Sequence, residues 1–221
     1  MAKNIGFGKG DDAIRNGGDL DFYRGKEGKK DRIAICWFFK DEDGSYQMSE
    51  DDTPQFLTEE IHYVEGKGYV LDNDYLRDKK GPPKRKVGTF IVHYQTDKRG
   101  QIDKENFDYS VKPWTFGEDK FRDLAELHEN FPLTQHDLKV ICKGEQFQKL
   151  TFQPIPKKAL WQQNDKFRER VLETVTSIQD RLSIGREVPL EELKDHFGDS
   201  VSPAPDPSSD TDFDDLIDGI E

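Results

Sequence analysis

Residues 137–154 read DLKVICKGEQFQKLTFQP, and their alternation sets the fold class. In DLKVICK, Leu138, Val140 and Cys142 fall on one side of an extended chain, with Lys139, Ile141 and Lys143 on the other. In KLTFQP, Leu150 and Phe152 separate in the same way from Lys149, Thr151 and Gln153. The polar loop GEQFQ, with Phe147 at its centre, joins them. Two adjacent strands with an apolar inner face and a basic outer face are predicted.

Upstream, EDKFRDLAELHENF places Phe121, Leu124, Ala125, Leu127, His128 and Phe131 at helical spacing, and Pro132 stops the helix. Before it come NFDYSVKPWTF and VGTFIVHYQT, two strands by their β-branched and aromatic content. The second is fed by the basic run KKGPPKRK, which holds Lys79, Lys80, Lys84, Arg85 and Lys86. DLDFYR and DRIAICWFF, parted by GKEGKK, predict a strand pair opening the domain. IHYVEG and GYVLDNDYL suggest a hairpin or an insertion. The fold class expected is mainly β with added helices. Strands, one helix, then two closing strands is the element order of an oligonucleotide-binding (OB-fold) barrel.

Residues 1–18 hold five glycines and few apolar side chains and are expected to form a flexible N-terminal arm. The barrel is expected over 19–158 and a helical extension over 159–198. In that extension Trp161, Phe167, Val171, Leu172, Val175, Ile178 and Leu182 predict a helix across 157–183, and VPLEELKDHFG predicts a shorter one. Residues 199–221 are expected to be a disordered acidic tail. The chain of 221 residues has a net charge of -12, but eight acids and no Lys or Arg lie from Asp199 onward. Subtracting -8 from -12 leaves -4 for residues 1–198. Within the tail, Asp212, Phe213, Asp214, Asp215, Leu216, Ile217 and Ile220 form a short apolar motif set among aspartates, suited to docking on a partner.

Charged residues make up 35% of the chain and the mean hydropathy is -0.90, yet 15 Phe, 7 Tyr and 3 Trp supply large surfaces for burial or stacking. No apolar run is long enough to span a bilayer and the N-terminus lacks a signal-peptide core, so a cytoplasmic location without a membrane partner is expected. Cys36 and Cys142, far apart and outside any CxxC, are expected to be buried free thiols in a reducing compartment. GFGKG departs from a phosphate loop because Gly10, not Ser or Thr, follows Lys9. The five histidines show no metal-ligand spacing, and no Ser or Cys sits in a nucleophile motif. An enzyme, a cofactor and a bound metal are therefore not expected.

Binding single strands needs cations that follow phosphates and aromatic faces on which bases stack. The candidate cations are Lys84, Arg85, Lys86, Lys139, Lys143 and Lys149. The candidate stackers are Trp37, Tyr94, Trp114 and Phe147, each of which could instead serve the barrel core; Trp114 and Phe147 are preferred.

The closing section DLKVICKGEQFQKLTFQP, with the preceding KFxxLxxL helix, resembles that of bacteriophage single-stranded DNA-binding proteins. The tail SSDTDFDDLIDGIE is similar in layout to the acidic tails of replicative single-strand binders. The chain ends in Glu rather than the Pro-Phe of bacterial members, and it lacks the Cys/His cluster with which some phage relatives hold zinc. The resemblance implies an OB fold, sequence-independent single-stranded DNA binding in phage replication, recombination and repair, and a place in the host cytoplasm. It also implies replication or recombination proteins as partners of the tail; a homo-oligomer is possible. Two other readings are a protein-binding adaptor or transcription regulator that works through the tail without DNA, and a DNA mimic. A basic surface segregated on residues 19–158 would favour nucleic acid.

Overall fold

The computed structural model describes residues 20–36, 38–40, 46–48, 56–97, 99–102, 107–143 and 149–199. The strands are β1 Lys30–Cys36, β2 Phe38–Lys40, β3 Tyr46–Met48, β4 Leu57–Val64, β5 Gly68–Leu71, β6 Lys84–Tyr94, β7 Tyr109–Gly117, β8 His136–Lys143 and β9 Lys149–Lys158. The helices are α1 Asp74–Lys80, α2 Glu118–Asn130, α3 Asp165–Ile178 and α4 Leu190–Phe197, with short 3-10 turns at Leu160–Gln162 and Gln179–Arg181. The chain divides into two units, 1–187 and 188–221. In the second, α4 follows Pro189 and ends at Gly198, whose φ of 77° is the left-handed geometry that favours glycine at a helix C-terminus. No helix among the described residues is long and apolar enough to cross a membrane.

The main sheet is antiparallel and does not close, with strand order β5-β4-β6-β1-β8-β9 and β7 paired to β6. β7 takes one edge of β6 from Lys86 to Tyr94. The other edge is shared, Lys84–Gly88 going to β4 and Phe90–Tyr94 to β1. β2 and β3 form a separate pair.

Alternation gives the sheet two apolar faces. Ile33 and Ile35, Val87 and Ile91, Trp114 and Phe116, and Leu138 and Val140 share one, closed by Leu124 of α2 and Leu133. Ala34, Cys36, Phe90, Val92 and Tyr94 lie on the other, under Trp161, Val171 and Val175. Burying side chains of this size contributes roughly 1.5–3 kcal/mol each, so α3 is held by its apolar stripe rather than by propensity. Helix α3 belongs to the same unit as the sheet, and Cys36 and Cys142 are buried free thiols.

Three local expectations are corrected. Residues 20–24, the described part of DLDFYR, are not a strand. The Tyr23 amide donates to the Pro113 carbonyl at 2.7 Å, but Pro113 has no N–H to return the bond, so no ladder grows on that edge of β7. The helix expected over 157–183 starts only at Asp165. Pro154 and Pro156 keep the chain extended in β9 as far as Lys158, and the Asn164 side chain caps α3 by accepting the Phe167 N–H at 3.2 Å. The basic run is split. Lys79 and Lys80 end α1, which Asn73 caps by accepting the Leu76 N–H at 2.9 Å, while Lys84–Lys86 open β6.

Candidate nucleic-acid interface

The face that is apolar beneath α3 turns basic farther along the sheet. On β1, Lys30 and Arg32 share the side of Ala34 and Cys36 by period-two alternation. Lys30 stands opposite Ile141 and Arg32 opposite Lys139. β8 is in turn paired to β9, Lys139 with Gln153, Ile141 with Thr151 and Lys143 with Lys149. Five cationic side chains, Lys30, Arg32, Lys139, Lys143 and Lys149, therefore lie on one surface of three neighbouring strands. Lys143, Lys149, Thr151 and Gln153 are exposed and the others half-buried.

Asp137 of β8 falls on the side of these lysines by alternation, and it is committed. Asp137, fully buried, accepts Arg32 Nε at 2.9 Å and Nη2 at 2.6 Å on one oxygen, and the Tyr94 hydroxyl at 3.1 Å on the other. The Trp161 N–H donates to the Tyr94 oxygen at 3.2 Å. Arg32 is thus oriented by a buried network that also pins the turn before α3. The loop after β6 packs against the same region: Thr96 Oγ1 donates to the Lys30 carbonyl at 3.2 Å. Gly100, at φ 77°, comes so near that a Cβ there would lie 3.0 Å from the Lys30 oxygen. Asp31 points the other way, where burial works to raise its pKa, but His93 at 3.4 Å and Lys29 at 3.1 Å bring it below the usual carboxylate range.

The structure therefore brings Lys139, Lys143 and Lys149 together as alternation predicts. Lys84, Arg85 and Lys86 lie elsewhere, at the start of β6. Arg85 faces Glu60 at 3.8 Å and Glu118 at 3.7 Å, whereas the Lys86 ammonium stands 5.3 Å from the centre of the Tyr69 ring. Tyr94 and Trp114 are core residues, 0% and 3% exposed. Neither offers a ring face to a base, because Tyr94 is held under α3 and Trp114 packs on Phe116. Trp37, Phe147 and the tail residues Asp212, Phe213, Asp214, Asp215, Leu216, Ile217 and Ile220 lie outside the described residues. Lys30 and Arg32 were not singled out in the sequence, although KDRIAIC carries the same alternation as DLKVICK. No family model, curated protein or solved structure matches the chain.

Proposed function

We propose that this chain binds single-stranded DNA without sequence preference, as a bacteriophage single-stranded DNA-binding protein built on an open OB-type barrel. The observation that carries the reading is the segregation of Lys30, Arg32, Lys139, Lys143 and Lys149 on one surface of β1, β8 and β9. A protein whose net charge is -12 would repel phosphate unless its cations were gathered in this way. The order β7-β6-β1-β8-β9, with α2 between β7 and β8, supports the barrel. Its end strands approach through Trp114 and Phe152, ring centres 5.8 Å apart. In this reading Phe147, on the loop between Lys143 and Lys149, stacks a base, and the acidic tail recruits replication or recombination proteins.

The test is a fluorescence titration with dT oligomers and with duplex at two salt concentrations. Single strands should bind more tightly, with log affinity falling by about 0.7 per phosphate contact for each unit of log salt. Reversing Lys139, Lys143 and Lys149 to Glu should weaken binding at least about 100-fold and flatten the salt slope. Reversing Lys166, Arg170 and Lys194 on the C-terminal helices should do much less. Equal losses from the two triple variants would remove the basic face from the mechanism, and equal affinity for duplex would remove base stacking.

A further inference from the structure

Cations alone hold the phosphates of duplex and single strand alike, so a surface selective for single strands also needs an exposed ring. Of the expected stackers that the structure describes, Tyr94 and Trp114 are buried. Among the described residues, the exposed Phe, Tyr and Trp side chains are Tyr63, Phe107 and Phe121. Phe121, on α2, meets Phe56, which packs on the side of the sheet opposite to the lysines. Tyr63 belongs to β4, which pairs with β5 and β6 and not with the strands that carry the lysines. Phe107 lies on the cationic side.

Its place follows from the register. Tyr109 of β7 stands opposite Tyr94 of β6, Tyr94 opposite Arg32 of β1, Arg32 opposite Lys139 of β8, and Lys139 opposite Gln153 of β9. Residues directly opposite one another share a side of the sheet, so this row runs from aromatic to cationic along one surface. Neighbouring strands are about 4.8 Å apart, which puts about 10 Å between the Tyr94 and Lys139 positions. Phe107 caps the aromatic end. Its ring centre is 6.2 Å from those of Tyr94 and Tyr109 and 5.7 Å from that of Phe167 on α3. The Arg32 guanidinium carbon lies 5.8 Å from the centre of the same Tyr94 ring. The chain is fixed at this point by the Gln95 N–H, which donates to the Asp108 carbonyl at 2.9 Å. The Asp108 carboxylate is turned back on its own chain, accepting the Tyr109 N–H at 2.9 Å. The β6–β7 connection also adjoins the lysines: a Cβ on Gly100 would lie 3.6 Å from Lys139 Cε.

A single exposed apolar residue is ordinary, and exposure alone would carry nothing. Phe107 is set apart by its place at the end of a row of cations, where 43% of it stays open to solvent while three aromatic neighbours hold it from the protein side. A ring already held by its neighbours loses little further freedom on stacking. We propose that Phe107 is a stacking platform, on which one base of a bound single strand rests while the phosphates follow the lysines of β8 and β9. The proposal rests on the single-strand reading above and gives it an aromatic station independent of Phe147.

The test uses the full-length chain. A dT oligomer carrying 5-iodouracil, irradiated in the complex, should crosslink to Phe107, as located by peptide mass spectrometry. Phe107→Leu keeps an apolar side chain on the cluster but has no π-face. It should weaken dT binding about tenfold at both salt concentrations and leave the salt slope unchanged, because the ring carries no charge. Phe107→Tyr should bind as the wild type does. The triple reversal of Lys139, Lys143 and Lys149 has the opposite signature, a flattened slope. Crosslinks confined to other residues, or a Phe107→Leu chain that binds like the wild type, overturn the platform while the basic face stands. An equal loss in Phe107→Tyr also overturns it, because that variant keeps the π-face. A sedimentation change in Phe107→Leu without loss of DNA affinity overturns it too, by assigning the ring to a contact between copies. A wild-type chain that binds no dT oligomer overturns both proposals.

Discussion

Replacing Asp137 by Ala should be among the most damaging single changes in the sheet, and the structure says how much. The substitution strips Arg32 of two charge-assisted hydrogen bonds, at 2.9 and 2.6 Å, and leaves the Tyr94 hydroxyl, now an acceptor only for the Trp161 N–H, with no acceptor of its own. Breaking a buried ion pair from one side costs about 3–5 kcal/mol, and a stranded buried donor about 1–3 kcal/mol. Arg32 keeps 17% of its side chain in solvent and regains water there, so the losses do not simply add. A destabilisation of about 4 kcal/mol follows. With a urea slope of about 2 kcal/mol/M, the unfolding midpoint should drop by about 2 M. Asp137→Asn, which retains an oxygen for Tyr94, should cost roughly half as much. Arg32→Ala strands the carboxylate instead, so in a double-mutant cycle the two changes together should cost less than the sum of the singles by about 2 kcal/mol. Equilibrium urea melts followed by far-UV circular dichroism measure all of these. A loss below about 1 kcal/mol for Asp137→Ala, or strict additivity in the cycle, would refute the view that this network ties β1, β6, β8 and the Trp161 turn together.

Two further outcomes are expected. Burial works to raise the pKa of Asp72, but Arg77 Nε at 2.6 Å and His62 Nε2 at 2.7 Å together hold it below its ordinary value. A depressed carboxylate stabilises the fold above its unfolded pKa of about 3.9, and that stability is lost as pH falls through the lower folded value. Asp72→Asn should therefore flatten the acid limb of stability below about pH 4, and an unchanged limb in pH-dependent melts would exclude Asp72 as its source. Removing residues 199–221, with eight carboxylates and no cation, should raise single-strand affinity at low salt, the gain shrinking as ions screen the competition for the basic face. Substituting only Phe213, Leu216, Ile217 and Ile220 by Ser should leave that affinity unchanged and abolish partner recruitment in pull-downs; the opposite pattern would reverse the roles assigned to charge and apolar groups.

What could be read from the sequence, and what could not, follows from the range of each signal. Alternation is local, so the inner and outer sides of β8 and β9 were legible, and with them Lys139, Lys143 and Lys149. The same rule applied to KDRIAIC would have added Lys30 and Arg32. It would also have warned against Tyr94 and Trp114 as stackers. Tyr94 is in phase with Phe90 and Val92, and Trp114 with Phe116, so each falls on an apolar side. The run VGTFIVHY is apolar in both phases, the mark of a strand covered on both faces, and it implies a second cover for which α3 is the only long amphipathic segment left. Asn73, with an acid at the next position and bases four to seven residues later, likewise announced α1 through capping and dipole chemistry. No local pattern, by contrast, tells β6 to divide one edge between β4 and β1. That division positions Tyr69 of the β4–β5 hairpin next to Lys86, and the turn from β7 into α2 adds Lys120. A cluster drawn from residues 24, 69, 86 and 120 has no spacing to recognise, because its members become neighbours only through strand pairing. A cluster of that kind can be found only after the topology is known, whereas the basic face repeats every second residue along strands already visible in the chain.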